Sequence, residues 1–480
     1  MSLLYRPPSG WVGDVIPHFH DGEFWLYFLH DQRDPAVGMP WRTVRTRDFV
    51  HFEDGGVAIP SGGPAAEDFN AYTGSLVTDD GRVHLFYTAQ NPERCDPVTG
   101  QPYQLVAHAV SDDDMRTWRK LPEETFGAPD GYVLGDWRDP FVFRVSADEP
   151  WRMLLAARSA AAPERRSGLI AQLRSTDLHT WTVDTPFWAP DLYMAHECPD
   201  VFTDGDRWYL MYSEFTESFA TRYRVAPGPD GPWAVPNRDT VDGRGFYAAK
   251  TVAGLGRRFA VGWIPSKAGE RDDGAWDWAG DMAVHEVVAE DDGQLSFRLP
   301  QSIADAYVSS ADRTWRPVLG DWEQEREGVS VSAPDGYAAS HTGPLPSECL
   351  LSVDIELAPG TSAAGIVLRA GPDAETGYRI RLEPRRGRMT FDRWPRLRTG
   401  PMQWQISGDV PHAVELERPA DLHPGRHHLD VLVDGTCVIA YLDGAVAMSA
   451  RMYDHRDGGL GLFVQEGSSS FTNLNVLTRH

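Results

Sequence analysis

Cysteine is scarce. The 480 residues hold four thiols, Cys95, Cys198, Cys349 and Cys437, far apart and with no Cys-x-x-Cys pair. That spacing excludes a disulfide scaffold and a thiolate zinc ribbon, and free thiols in a reducing compartment are expected. No apolar run approaches the roughly 18 residues that a membrane-spanning helix needs. No basic stretch followed by an apolar core opens the chain, so no signal peptide is visible and a cytoplasmic location is expected. Positive charge is short as well: 45 Lys and Arg stand against 70 Asp and Glu, a formal charge of −25. Nucleic acid and anionic membrane are therefore poor partners, and a neutral ligand suits the chain better. Helical periodicity is nearly missing too, which leaves extended structure.

Aromatic residues and a repeat are what the chain does have. It carries 17 Trp, 16 Tyr and 20 Phe. Five apolar strands, at residues 24–29, 83–87, 151–155, 208–212 and 258–263, each follow a turn beginning near Asp21, Asp80, Asp148, Asp204 or Gly254. A second signature, Asp followed four residues later by an aromatic, recurs at Asp48-Phe49-Val50-His51-Phe52, Asp114-Met115-Arg116-Thr117-Trp118 and Asp177-Leu178-His179-Thr180-Trp181. Strand-rich units of roughly 50–70 residues are what a radial array of four-stranded blades requires. The competing reading, a β-sandwich with incidental strand similarity, does not explain a repeat of that length. After Leu299-Pro300 the pattern changes. A short helix is expected over 303–308, and alternating strands return at 350–357, 429–433 and 436–442, the last two joined by the hairpin signal Asp434-Gly435. The expected fold is all-β: a five-bladed β-propeller over 1–305, a connector over 306–325, and a C-terminal β-sandwich over 326–480. No Gly/Ser linker separates the parts, so rigid packing is expected.

Seven residues before four of the turns stand Asp14, Thr73, Glu197 and Tyr247; in the third unit Asp139 stands nine before. Innermost strands of a propeller line its central channel, so these positions are expected to share one funnel. Three clustered acids have two readings. One is a cation site, for which the regular spacing of a calcium loop is absent. The other is glycoside hydrolysis, which needs one ionised and one protonated carboxyl group about the scissile bond. Enclosure and mutual repulsion raise at least one pKa, as that chemistry demands. Arg138, beside Asp139, would hold that acid ionised or bind a sugar hydroxyl. Trp11, Trp41, Tyr247, Trp263, Trp276 and Trp278 fit sugar binding, whereas Trp25, Trp118, Trp181 and Trp208 read as blade core.

At these residues the chain resembles glycoside hydrolase family 32, the invertase, inulinase and levanase group. Arg138-Asp139-Pro140 is similar to the family's R-D-P motif and Glu197-Cys198-Pro199-Asp200 to its E-C-P-D motif. Asp48–Phe52, Tyr72-Thr73-Gly74-Ser75 and Phe246-Tyr247-Ala248-Ala249-Lys250 resemble further family segments. The resemblance implies a retaining, exo-acting furanosidase acting on a small carbohydrate and releasing terminal fructose, with no cofactor or metal. Asp14 is implied as nucleophile, Glu197 as acid and then base, and Asp139 with Arg138 as binders of sugar hydroxyls that stabilise the transition state. Candidate sugar contacts are Trp11, His30, Trp41, Thr73, Arg138, Tyr247 and Trp263. An arabinofuranosidase or xylosidase on the same architecture, or a sugar-binding protein without catalysis, remain alternatives. Three departures fall near the pocket: Gly13 replaces the Asn of the W-M-N-D-P-N-G motif, His30 takes the place of a sugar-binding Gln, and Gly245 stands where an Asp precedes the Phe-Tyr pair. The catalytic acids are kept while the hydrogen bonding around the sugar is altered.

Overall fold

The computed structural model describes residues 3–97, 99–310, 313–324, 326–395 and 415–479. Its first half is built from short hairpins. Asp21-Gly22, Asp80-Gly81 and Leu255-Gly256 take positive φ at both residues. This is the two-residue turn whose twist matches that of the strands it joins. Each turn connects the innermost strand of a blade to the second. The five inner strands are Trp11–His20, Asn70–Asp79, Tyr132–Phe143, Glu197–Asp204 and Tyr247–Gly254. Blades I, II, III and V continue outward to a fourth strand, while blade IV has three. Each inner strand touches the inner strands on either side, and the fifth returns to the first, so the ring is closed. The five-bladed propeller expected from the repeat is present.

The Asp-x-x-x-aromatic signature has a structural cause. Asp48 accepts the N–H of His51 at 2.8 Å, and Asp177 that of Thr180 at 2.8 Å. The carboxylate pins a turn in which the next residue, Phe49 or Leu178, adopts a left-handed backbone and is driven into the core. In blade II the capping acid is Asp113, which accepts the Thr117 N–H at 2.9 Å, and Met115 is the buried residue. The sequence reading placed this cap one residue late, at Asp114, because the turn there is longer. Trp25, Trp118, Trp181 and Trp208 pack against blade cores.

Alternation along the inner strands is broken in every blade, and in blade III a second break falls between Tyr132 and Trp137. Opposite Leu29, Leu155, Tyr212 and Gly262, the inner strands place two residues each: Gly13-Asp14, Asp139-Pro140, Cys198-Pro199 and Ala248-Ala249. In blade II the extra residue is Thr73. These are β-bulges, which re-aim side chains and let a strand leave its ladder. Asp139, Cys198 and Ala248 take left-handed φ of 59°, 51° and 53°, a conformation costly for residues with a Cβ and held only by surrounding structure.

The helix lies at Gln301–Asp305, slightly before its expected place. The segment expected to be a connector instead joins the sandwich sheet. Ser309–Ser310 pairs with Gly459–Thr478, while Arg316–Leu319 and Trp322–Gln324 pair with Gly328–Pro344. The sandwich buries an apolar core of alternating residues such as Leu351, Val353 and Ile355. It meets the propeller through a shared apolar cluster that includes Leu350, Leu432, Ile439 and Tyr441, and through buried charged groups. Asp242 accepts the Ser449 N–H at 2.9 Å and its hydroxyl at 2.7 Å, and Arg451 donates to the carbonyls of Ile264 and Pro265 at 2.6 and 2.9 Å. A buried charge with saturated hydrogen bonds fixes geometry more than it adds stability. Among the described residues no helix is long and apolar enough to cross a membrane.

Candidate active site

The inner-strand bulges bring the sequence-predicted acids into one hydrogen-bonded cluster. Asp14 accepts the Thr73 hydroxyl at 2.5 Å and the Trp263 indole N–H at 3.0 Å. The Cys198 thiol lies 3.8 Å from the same carboxylate. Asp139 accepts the Cys198 N–H at 2.9 Å, and its own N–H donates to Thr88 at 2.8 Å, so both sides of its bulge are held. Glu197 accepts Arg138 at 3.0 Å and the Tyr247 hydroxyl at 2.6 Å. Arg138 also lies 3.9 Å from Asp139. Residues from all five blades thus meet within one network.

This network is crowded with negative charge. Glu197 keeps some contact with solvent, 21% of its side chain, yet protein encloses it closely. Burial, and then the charge of Asp139, push Asp14 up to about 7 against the hydrogen bonds from Thr73 and Trp263. Burial raises Glu197 as well; Arg138 opposes this and Asp139 adds to it, and the net direction is upward. Burial by itself would lower Arg138, but Glu197, Asp139 and Asp136 together hold it above its ordinary value, so it stays a cation. Two carboxyl groups with raised proton affinity beside a fixed cation form a coupled set, whose proton belongs to the set rather than to either acid.

The other predicted contacts divide. Thr73, Arg138, Tyr247 and Trp263 touch the acids directly, and Tyr247 stacks on Phe219 at 3.9 Å. Trp11 sits at the edge, with the Arg6 and Arg33 guanidinium groups 4.2 and 5.7 Å from its ring. Trp41 is fully buried in the core between blades I and II, and its indole N–H is shared by the carbonyls of Ala71 and Tyr72. Its face is closed to any sugar, so the expectation of a sugar contact there is corrected. His30 is buried with Nε2 2.7 Å from the Ser9 carbonyl, and no hydrogen bond among the described residues joins it to the acids. Gly245 faces the sandwich, where a Cβ would lie 2.0 Å from the Ser449 carbonyl oxygen. Its lack of a side chain answers to domain packing.

Sequence reasoning missed Asp136 as a part of this site. Asp136 accepts Arg138 at 2.6 Å and Arg158 at 3.0 Å, linking the site cation to a second one. Two-residue spacing from Arg138 on one strand was the available signal, since such residues share a face. Trp278 was noted only among several aromatics; nothing local in the sequence ties it to Gly13.

His196, next to Glu197, is fully buried among Trp188, Tyr193 and Tyr212, and neither ring nitrogen has a hydrogen-bond partner among the described residues. Burial, with Arg224 nearby, lowers its pKa from 6.5 to about 3. Below 6.5 the unfolded chain takes up a proton that the folded one refuses, so this residue costs stability as pH falls. The stability of His196→Phe relative to the parent should therefore climb between 6.5 and about 3. The slope is up to about 1.4 kcal/mol per pH unit. Denaturant unfolding across that range measures it, and parallel curves would refute the assignment.

Comparison with known proteins places this geometry. The model of the glycosyl hydrolases family 32 N-terminal domain matches residues 5–298, and that of the family 32 C-terminal domain matches residues 323–478. The sucrose-6-phosphate hydrolase of Escherichia coli is 27% identical over 318 residues, 60% of this chain and 62% of that enzyme, so less than two thirds of its length is spanned. The levanbiose-producing levanase of Bacillus subtilis (strain 168) is 24% identical over 98% of this chain and 89% of its own. In fold, the exo-inulinase of Aspergillus awamori superposes with a TM-score of 0.73 at 18% identity, covering 100% of this chain and 99% of that one. By the span of both models, this chain belongs to family 32 of the glycosyl hydrolases.

Proposed function

We propose that the protein is a retaining, exo-acting glycoside hydrolase that releases terminal β-linked fructose from fructosides and fructo-oligosaccharides. One observation carries the reading: Asp14 and Glu197, both with raised proton affinity, share one network but have different partners. Asp14 receives only neutral donors, Thr73 and Trp263, and is the nucleophile. Glu197 lies between Arg138 and Tyr247 and is the acid. A carboxylate oxygen of Asp14 attacks the anomeric carbon as the glycosidic C–O bond breaks, and Glu197 gives its proton to the departing oxygen. Glu197 then takes a proton from water, whose oxygen displaces Asp14 from the anomeric carbon. Positive charge developing on the sugar ring favours the Asp14 anion and so draws the shared proton to Glu197. Asp139 and Arg138 hold sugar hydroxyls. The names of the relatives, sucrose-6-phosphate hydrolase and levanase, support a fructoside as substrate.

Sucrose, 1-kestose, inulin and levan test the reading, with free fructose as the readout and the configuration of the first-formed product read by NMR. Arabinose from a nitrophenyl arabinofuranoside, without fructose from any of the four, would replace it with a different furanosidase. The pH profile tests the acid. Activity needs the proton on Glu197, whose pKa burial raises, so kcat/KM falls as pH rises through the raised pKa of that acid. The Tyr247 hydroxyl lowers the pKa of Glu197, so Tyr247→Phe should move that falling limb to higher pH. A limb that moves down instead, or stays, places the proton elsewhere.

A further inference from the structure

Gly13 adjoins Asp14, and its φ lies outside the left-handed region, so backbone conformation does not call for glycine there. Space does. A Cβ at this position would sit 2.3 Å from Cη2, 2.8 Å from Cζ2 and 3.0 Å from Cζ3 of Trp278. The far edge of the indole fills the volume that a side chain at 13 would use. Trp278 also meets Trp263 edge to face at 5.8 Å, and Trp263 is the donor to Asp14. The ring nevertheless remains 37% exposed, so it borders open space rather than core.

The placement of Trp278 is built. The next residue, Ala279, takes φ of 66°, a left-handed conformation that turns the strand Trp276–Ala289 at this point. Arg33, from blade I, donates to the Trp278 carbonyl at 2.8 Å and to the Ser266 hydroxyl at 2.8 Å. It is also paired with Asp31 at 2.8 Å and Asp277 at 3.2 Å. Blades I and V are therefore tied together at the root of this side chain.

We propose that Trp278 is an aromatic wall of the sugar site beside Asp14, admitted by the missing side chain of Gly13 and locked by Arg33, on which a C–H face of the furanosyl ring packs. This rests on the furanosidase reading above. Where family members place an Asn that can hydrogen-bond a hydroxyl, this site reads the glycone on that side by shape and apolar contact. The substrate class is a furanoside whose hydroxyl on that side is free of any hydrogen-bond demand, and so one that is deoxygenated or substituted there without much loss. Aromatic rings suit this role because a sugar offers them a patch of C–H bonds, and burial against a ring is non-directional.

A double-mutant cycle tests the wall. Gly13→Ala should lower kcat/KM for 1-kestose about 100-fold and lower Tm, because the ring must swing away. In the Trp278→Ala background the same Gly13→Ala change should cost less than about threefold in kcat/KM and leave Tm nearly unmoved. Trp278→Ala alone should raise KM about tenfold with a much smaller change in kcat, the mark of lost binding shared by ground and transition states. Effects of the two substitutions that multiply independently, in both kcat/KM and Tm, would overturn the wedge. An unchanged KM in Trp278→Ala would overturn the sugar contact even if the wedge holds. Thermal coupling needs no substrate, so a parent protein that cleaves no fructoside yet shows the coupling would count against the fructosidase reading and not against the packing.

Discussion

Replacing Asp14 with asparagine should abolish turnover and stabilise the protein at the same time. With Asp14 as the proposed nucleophile, its loss would remove the covalent intermediate, and kcat on sucrose or 1-kestose should fall on the order of 10⁴-fold or more. The gain in stability follows from burial. The folded-state pKa of Asp14 is raised from 3.8 to about 7, so above that window the fold holds a charge that the unfolded chain carries more easily. The sign follows directly: an acid with a raised folded pKa destabilises at high pH, and that penalty disappears as pH falls below 3.8. Asparagine keeps one oxygen for the Trp263 N–H, and its amide can donate to Thr73 if that hydroxyl turns. The variant should gain on the order of 2 kcal/mol near neutral pH, a discounted share of what the shift implies in a coupled cluster. That gain should shrink toward zero near pH 4. Unfolding curves at the two pH values decide it, and equal gains at both would mean that the charge is not the cause. Function here is held at a cost in stability, as strained active sites commonly are.

How much of this was legible in the chain depends on period. Turns and apolar strands are local, so the five hairpins and the sandwich strands could be read directly, though the hairpin expected at Asp434-Gly435 turns one residue later, at Gly435-Thr436, with Asp434 paired to Cys437. Asp14, Asp139 and Glu197 were found because a repeat lets equivalent positions be counted from a turn. The count was uneven, nine residues for Asp139 and seven for the others, and the bulges complicate any such register. Asp14 and Asp139 lie inside their bulges, while Glu197 and Tyr247 immediately precede theirs. A bulge inserts a residue without a compositional mark, so it is invisible to alternation. Trp41 misled because a tryptophan in a core and one beside a sugar look the same in sequence; its neighbours across the blade seam, Ala71 and Tyr72, decide between them. Gly13 and Gly245 both looked like losses of sugar contacts. In space one admits Trp278, from 265 positions away by the numbering, and the other admits the Ser449 backbone. Contacts between distant blades and domains leave no trace in local pattern.

Glu197→Gln separates acid from base by the choice of leaving group. On sucrose or 1-kestose the departing oxygen must be protonated, and without Glu197 kcat/KM should fall about 10³-fold to 10⁴-fold. A nitrophenyl fructoside needs no such proton, so its first step should survive and release a burst of nitrophenol. Turnover should then stall, because no base remains to activate water at the glycosylated Asp14. Azide, already an anion, requires no deprotonation and should restart turnover with retained configuration. Glutamine can still accept from Arg138 through its amide oxygen, so the cation stays in place. The change also removes a charge that raises Asp14, so the nucleophile should stay ionised to lower pH. Activity of the variant on the nitrophenyl substrate with azide should therefore persist further into acid than that of the parent and lose the falling limb that the parent shows. Full activity of Glu197→Gln on sucrose would remove Glu197 from the acid's role. A burst that azide cannot relieve would remove it from the base's role.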